Sequence, residues 1–379
     1  MMTGTPTRRT YLDVLRGVAV LVMIEAHVID SWTRAADRQT HGFRQSLVLG
    51  GFGAPLFLFL AGVAVAMSAG SKARRSGDPA AATRAVQKRG LQIFILAFVF
   101  RFQALVLSHG ELWTLLKVDI LNIMGLAIIL AATLWGLTAD LRSRLAIFAV
   151  ATAAFVWLAP AVRAFELLAL LPNSIEGYLR PIPDLTNFTL FPWAGFVMAG
   201  ACVGVLLDAA RQPDADRRAN LWFASGGLIV AFVAHRMSFL PPLDPRSRFW
   251  TTSASFFFIR LGLMVAAVGA AYLWEQRPSL RLRPLGLRSG QAAGRRWSPL
   301  QVLGRSSLFI YWIHVELVYG LVSLPLHGAF SLAGAWAALG VFCLLMLAVA
   351  ALKDWMAGKF NRGSSLRNQL ERTAQPLMF

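Results

Sequence analysis

Charged residues are scarce in this chain of 379 residues: they make up 15% of it, whereas hydrophobic residues make up 56%. Soluble domains carry roughly a quarter charged residues, so this composition excludes a water-soluble globule. The same fractions exclude a disordered chain and a coiled coil, and a content of two cysteines excludes a disulfide scaffold. The class that remains is a membrane protein with several spanning segments.

Acidic residues are few as well, 19 against 37 lysines and arginines, which gives a net charge of +18. This excess does not indicate a nucleic-acid partner, because the basic residues form short clusters between long apolar runs. Such clusters are typical of membrane topology determinants and attract anionic lipids. The expected partner is therefore the lipid bilayer, with no nucleic acid, and the sequence leaves a homo-oligomer open.

Apolar runs of about 20 residues, the length that crosses a bilayer, recur along the whole chain. They predict an all-α fold, a polytopic membrane helix bundle that forms a single integral-membrane domain over residues 1–379. The ten predicted spans are about 12–30, 47–69, 91–108, 118–137, 145–165, 188–208, 221–240, 253–274, 299–323 and 331–353.

The first span carries several ionisable residues, which are costly in a bilayer and therefore candidates for function. At 100° per residue, Asp13, Arg16 and His27 lie along one stripe, whereas Glu25 points away from it. Such a stripe predicts the wall of a cavity. The alternatives are an ion pair between Asp13 and Arg16 and a structural histidine at position 27. Glu25 is expected to be a structural partner for an arginine rather than a catalyst.

A second polar stripe lies in span 9, where Ser307, Tyr311 and His314 follow i, i+4, i+7 spacing. Hydrogen bonding between helices is the alternative to substrate binding for this face. Arg260 lies within the outer half of span 8, a depth that favours an inward role over the alternative, snorkelling to the membrane surface. Lys88 and Arg89 belong to a basic cluster on the predicted cytoplasmic side, where they are either donor-binding residues or topology determinants.

Motifs of soluble enzymes are missing from the sequence. It contains no Cys/His spacing for a metal, no Walker loop and no G-x-S-x-G elbow, so no metal is expected. The glycines of GGFGAPLFLFLAG predict a loop that enters span 2 and close helix packing at Gly62, rather than a phosphate-binding loop.

Four stretches, in order, resemble the heparan-alpha-glucosaminide N-acetyltransferase-like family of transmembrane acyltransferases. They are RTYLDVLRGVAVLVMIEAHVID, GGFGAPLFLFLAGVAVAMS, FPWAGFVMAGACVGVLL and LGRSSLFIYWIHVELVYG. The resemblance implies transfer of an acetyl group from cytosolic acetyl-CoA, as co-substrate, to a sugar amine or hydroxyl across the membrane. An alanine- and arginine-rich composition favours a bacterial cytoplasmic membrane and an envelope glycan as the acceptor.

The same resemblance implies two candidate catalytic bases. The family uses a histidine in the first non-cytoplasmic loop and an asparagine at the end of span 1. By position, His41 matches the loop histidine, and His27 stands at the asparagine site. Because a histidine replaces the asparagine here and the spacing to the loop is longer, either His27 or His41 is the base.

The resulting hypothesis is an integral-membrane acyltransferase that moves an acyl group from acyl-CoA to a sugar or glycan acceptor. Arg16, Lys88 and Arg89 are the candidate donor-binding residues, since CoA is polyanionic. The candidate acceptor-binding residues are Asp13, Arg260, Ser307, Tyr311 and His314. A histidine base fits direct transfer as well as a covalent acyl-histidine route. The alternatives are a transporter or glycan flippase and a membrane scaffold without catalysis.

Both chain termini are predicted to lie in the cytoplasm. Of the 37 lysines and arginines, 24 fall in the terminal segments and connections assigned to that side and eight in the opposite connections. Green fluorescent protein fused after Phe379 should therefore fluoresce, and alkaline phosphatase fused at the same position should be inactive. The reverse pattern would contradict the assigned orientation.

Overall fold

The computed structural model describes residues 9–108, 111–276 and 298–373. Within these ranges the chain forms α-helices joined by short 3-10 helices and irregular segments, without β-strands. The α-helices are α1 Thr10–Trp32, α2 His41–Gly50, α3 Gly53–Ser76, α4 Pro79–Ser108, α5 Ile120–Gly136, α6 Leu141–Trp157, α7 Ala159–Ala164, α8 Asn173–Leu179, α9 Leu190–Ala209, α10 Pro213–Met237, α11 Ala254–Gln276, α12 Pro299–Arg305, α13 Ser307–Tyr319 and α14 Leu332–Thr373. The predicted all-α fold is confirmed for these residues.

Six helical stretches of the described chain are long and apolar enough to cross a membrane. They are His41–Ser76, Pro79–Leu107, Leu141–Ala164, Leu190–Ala209, Ala254–Gln276 and Leu332–Ala357. Ile120–Gly136 and Ser307–Tyr319 are shorter apolar helices. The protein is therefore an integral membrane protein, whereas the count of ten spans and the cytoplasmic location of both termini stay predictions.

The predicted span 299–323 is wrong as a single helix. Ser306 has non-helical backbone angles (φ −99°, ψ 11°) and separates α12 from α13. The amine of Lys353 on α14 donates to the Ser306 hydroxyl at 2.6 Å. α13 ends at Tyr319, because Gly320 adopts an extended conformation (φ −77°, ψ 177°). A 3-10 helix, Leu321–Leu326, follows.

The chain divides into two compact units, each described by itself. The first comprises Met1–Leu15 and Val48–Gly290, and the second Arg16–Leu47 and Gln291–Phe379. The prediction of a single functional domain over the whole chain stays a prediction.

In the first unit, α3 and α9 pack with their backbones in direct contact. A Cβ atom on Gly62 would lie 1.9 Å from the Val197 carbonyl oxygen, and one on Gly200 would lie 1.9 Å from the Phe59 oxygen. Small residues allow membrane helices to approach this closely, which strengthens dispersion contacts between them. The close packing predicted at Gly62 is confirmed.

An ion pair closes one end of the same helix pair. The guanidinium of Arg74 on α3 binds the Asp208 carboxylate on α9 through two hydrogen bonds, of 2.6 and 2.7 Å. Gly70 leaves room for that carboxylate, since a Cβ atom there would lie 2.1 Å from the Asp208 Oδ2 atom.

In the second unit, the segment after α1 is fixed to the segment before α14. The Arg34 N–H donates to the Phe330 carbonyl at 2.8 Å, and the Phe330 N–H donates to the Trp32 carbonyl at 3.0 Å. The Leu332 N–H donates to the Asp37 carboxylate at 2.7 Å. This hydrogen bond and, as the second contribution, the one from the Arg34 guanidinium hold the pKa of the Asp37 carboxyl below its ordinary value.

Helix packing in the second unit also depends on a small residue in α1. A Cβ atom on Gly17 would lie 2.1 Å from the Leu300 carbonyl oxygen of α12. Towards the other end of α1, Ile29 packs in an apolar cluster with Phe43 of α2 and Ala335 of α14. These contacts hold the helix that carries His27.

Replacing Gly62 with alanine should destabilise the fold, because the added methyl group would overlap backbone atoms that cannot rotate away. Overpacking of this kind costs about 1–3 kcal/mol. Gly226 of α10 is the matched control, since a Cβ atom there meets no atom within 4 Å. Thermal unfolding in detergent should show a lower Tm for Gly62→Ala and an unchanged or slightly higher Tm for Gly226→Ala. Equal Tm values for both variants would contradict the packing described.

Candidate functional site: a histidine pair in the second unit

Two histidines that are 287 positions apart in the chain form a hydrogen bond in the second unit. The Nδ1 atom of His27 on α1 lies 2.8 Å from the Nε2 atom of His314 on α13. His314 is fully buried and His27 is half-buried. The two imidazole rings lie 5.0 Å apart, with 17° between their planes. The side chain of His27 therefore reaches the interior of this unit.

A backbone carbonyl determines how the pair shares its protons. The Nδ1 atom of His314 lies 2.8 Å from the Ile310 carbonyl oxygen, one turn earlier in α13. A carbonyl can only accept, so this nitrogen carries a proton. In a neutral His314 ring, Nε2 is then an acceptor, and the Nδ1 atom of His27 must donate to it. The neutral His27 ring consequently keeps its lone pair on Nε2.

Two tyrosine rings contact the pair, one at each imidazole. The Tyr319 ring meets the His27 ring edge-on, at 5.6 Å between centroids, and the Tyr311 ring approaches the His314 ring at 5.9 Å. The Tyr319 hydroxyl donates to the Asp30 carboxylate at 3.3 Å. Since Asp30 lies one turn after His27 on α1, this bond and the histidine pair connect the same two helices. The orientation of both imidazoles is thus fixed from several sides.

The carbonyl of Val318, near the end of α13, accepts from four side chains. Ser31 and Trp32 at the end of α1 donate to it at 3.3 and 3.2 Å. Ser323 and His327 donate at 2.9 and 3.0 Å. Carbonyl groups at a helix end have no partner within the helix, so side chains can satisfy them. Here these donors join the end of α1 to the end of α13, where the histidine pair lies.

The other predicted site residues of the second unit lie in different surroundings. His41 is exposed at the first residue of α2. Ser307 is half-buried at the first residue of α13, two turns before His314. Arg16 is half-buried in α1. The structure thus brings together His27, Tyr311 and His314 from the predicted set, while their roles stay predictions.

The remaining predicted residues belong to the first unit. Asp13 is buried on α1. Lys88 and Arg89 are exposed on α4, and the Arg89 guanidinium donates to the Gln92 side chain at 3.4 Å. Arg260 of α11 is half-buried, with its guanidinium carbon 3.8 Å from the centre of the Phe256 ring.

Glu25 departs from the expectation that it pairs with an arginine. Its side chain is 3% exposed, and both carboxylate oxygens are buried without a hydrogen-bond partner among the residues that the structure describes. Glu25 is therefore a buried carboxyl group of α1 that forms no ion pair with an arginine of the described residues.

The described part of the chain contains no candidate metal site. No group of three or more histidine, cysteine, aspartate or glutamate side chains is arranged there to hold a metal ion. The expectation that the protein uses no metal stays a prediction.

The fold and the histidine pair define a class, an integral membrane protein with ionisable side chains buried between its helices. Such buried ionisable residues are typical of functional sites in membrane proteins. Residues 8–234 match the family described as heparan-alpha-glucosaminide N-acetyltransferase, catalytic. No curated protein matches the chain. Because the match takes in more than half of the residues, the chain belongs to the heparan-alpha-glucosaminide N-acetyltransferase family, as the sequence motifs predicted.

Family membership makes the protein a membrane acetyltransferase, and the family in general uses acetyl-CoA as its donor. The matched stretch includes Arg16, His27 and His41, whereas Arg260 and His314 lie beyond it. The pairing of His27 with His314 is therefore shown by the structure alone, and neither the family match nor the sequence predicted it.

Proposed function

We propose that this protein transfers an acetyl group from cytosolic acetyl-CoA to an amine or hydroxyl of a sugar or envelope glycan on the non-cytoplasmic side of a bacterial cytoplasmic membrane. The observation that carries this proposal is the hydrogen bond between His27 and His314, together with the bond from His314 to the Ile310 carbonyl. Membership of an acetyltransferase family favours this chemistry over the alternative of transport without a reaction.

His27 is the proposed general base, acting through its Nε2 atom. The acceptor oxygen or nitrogen forms a bond to the thioester carbonyl carbon while His27 takes the proton of the acceptor. The bond between carbon and sulfur then breaks, and His27 returns the proton to the CoA sulfur. An imidazole suits both steps, because its neutral form takes the proton in the first step and the imidazolium so formed gives it up in the second. A two-step route, in which Nε2 carries the acetyl group, uses the same atom.

His314 is the proposed positioning residue for this base. By accepting a hydrogen bond from Nδ1 of His27, it selects the tautomer whose lone pair lies on Nε2. When His27 gains a proton, the same hydrogen bond becomes charge-assisted and stabilises the imidazolium. A base oriented by a second side chain in this way is a recurring arrangement in acyl transfer.

The substrate-binding assignments remain part of the proposal. Arg16, Lys88 and Arg89 would bind the polyanionic CoA, and the exposure of Lys88 and Arg89 suits contact with its phosphates. Asp13, Arg260, Ser307 and Tyr311 would bind the acceptor. His41 is the second candidate base, and it lies exposed at the start of α2.

Replacing His27 with alanine should lower acetyl transfer by about 10²–10⁴-fold, the contribution typical of a general base. The assay measures labelled acetyl groups passed from acetyl-CoA to glucosamine by purified protein in lipid vesicles. His41→Ala should stay within about threefold of the unchanged protein, and His235→Ala, at an exposed position on α10, is the matched control. Loss of activity only in His41→Ala would assign the base to His41. Full activity in both His27→Ala and His41→Ala would contradict the histidine-base mechanism.

Replacing His314 with leucine should reduce kcat by about 10–100-fold and leave the KM of both substrates within about threefold, because the change misorients the base without removing it. His314→Gln should restore part of the loss, since its side-chain oxygen can accept the proton of His27 Nδ1. A leucine variant with unchanged kcat would refute the positioning role. A glutamine variant as impaired as the leucine variant, at equal Tm, would do so as well.

A further inference from the structure

Arg260 lies in the second turn of α11, inside a stretch that is long and apolar enough to cross the membrane. Its guanidinium carbon sits 3.8 Å from the centre of the Phe256 ring and 5.9 Å from the centre of the Phe52 ring. Stacking of this kind attracts the cation to the ring face and fixes the plane of the guanidinium. The N–H groups point outwards within that plane, so stacking leaves them available to donate hydrogen bonds.

No carboxylate of the described residues forms an ion pair with Arg260, and no described side chain or carbonyl accepts a hydrogen bond from it. Its Nε atom is buried without a partner among the residues that the structure describes. A charge at this depth is expensive, and buried N–H donors that lack acceptors add to the cost. The guanidinium therefore has donors and a positive charge that the described protein does not satisfy.

The segment that precedes α11 supplies aromatic rings but no carboxylate for Arg260. Phe249 and Trp250 pack on the Phe256 ring at centroid distances of 5.1 and 5.0 Å. Asp244, the acidic residue of residues 238–253, is already bound by Arg246 through two hydrogen bonds of 2.8 and 2.9 Å. The guanidinium of Arg260 thus lacks an acceptor among the described residues and lies beside a cluster of packed aromatic rings.

We propose that Arg260 binds the phosphate group of a ligand, either of a phosphorylated acceptor sugar or of a lipid headgroup. The planar guanidinium offers two parallel N–H groups that match two phosphate oxygens, and its stacking on Phe256 holds it ready for this geometry. The rings beside it supply an apolar surface for the rest of the ligand. Where the phosphate belongs to the acceptor, the inference rests on the proposed acetyl transfer.

The test measures ligand binding as a rise in the Tm of the purified protein in a phosphate-free maltoside detergent, so it does not require activity. The ligands are glucosamine 6-phosphate, glucosamine and phosphatidylglycerol. An acceptor phosphate predicts stabilisation by glucosamine 6-phosphate more than by glucosamine, and a lipid phosphate predicts stabilisation by phosphatidylglycerol. In either case Arg260→Gln should weaken that binding at least about tenfold, as expected for loss of a bidentate charged contact.

Arg246→Gln is the matched control, because Arg246 is exposed and already paired with Asp244, and it should bind like the unchanged protein. Arg260→Lys keeps the charge without the planar fork, and it should bind several-fold more weakly even if Arg260→Gln does not fold. The inference would be overturned if Arg260→Gln and Arg260→Lys bound glucosamine 6-phosphate and phosphatidylglycerol as tightly as the unchanged protein does. An equal loss in Arg246→Gln would overturn it as well. Phosphate-dependent stabilisation without acetyl transfer would leave the phosphate site at Arg260 standing, but it would refute the proposed reaction and with it the role of the phosphorylated sugar as acceptor.

Discussion

The hydrogen bond between His27 and His314 is the interaction on which the functional account depends. A neutral imidazole can act as a base only through the ring nitrogen that lacks a proton, so the position of its proton decides which nitrogen can react. The Ile310 carbonyl determines this position for His314, because it accepts a hydrogen bond from the Nδ1 atom of that ring. That proton makes Nε2 of His314 an acceptor, which in turn directs the proton of His27 to Nδ1. A single backbone oxygen thus determines which nitrogen of His27 can act as a base.

The surroundings of the pair explain why this geometry can persist. The Val318 carbonyl gathers donors from the ends of α1 and α13, and Tyr319 connects the second helix to Asp30 of the first. Dispersion contacts also matter, because glycines such as Gly17 let helix backbones touch without intervening side chains. Hydrogen bonds at the helix ends and close contacts along the helices together restrict the rotation and sliding that would separate the two rings.

The all-α fold of the described residues was predictable, because apolar runs of about 20 residues have the length of a helix that crosses a bilayer. The polar stripes of His27 and of Tyr311 with His314 were also predictable, since helical spacing fixes which residues share a face. Their pairing was not, because no local pattern indicates that two stripes at opposite ends of the sequence meet. The break at Ser306 was missed for a related reason, as the amine that binds the Ser306 hydroxyl comes from Lys353 on a distant helix. The expected arginine partner of Glu25 is absent from the described residues, and the sequence around Glu25 contains no signal that could have shown this.

Nitrogen-15 NMR of the protein in lipid vesicles, with labelled histidine rings, tests the central claim most directly, because protonated and unprotonated ring nitrogens have well-separated chemical shifts. A His27→Gln variant would identify the two signals of that ring among the six histidines of the chain. The account predicts that neutral His27 carries its proton on Nδ1 and that Nε2 is unprotonated, with the Nδ1 signal shifting when His314 becomes leucine. A neutral His27 with its proton on Nε2, or signals that ignore the His314 replacement, would contradict it.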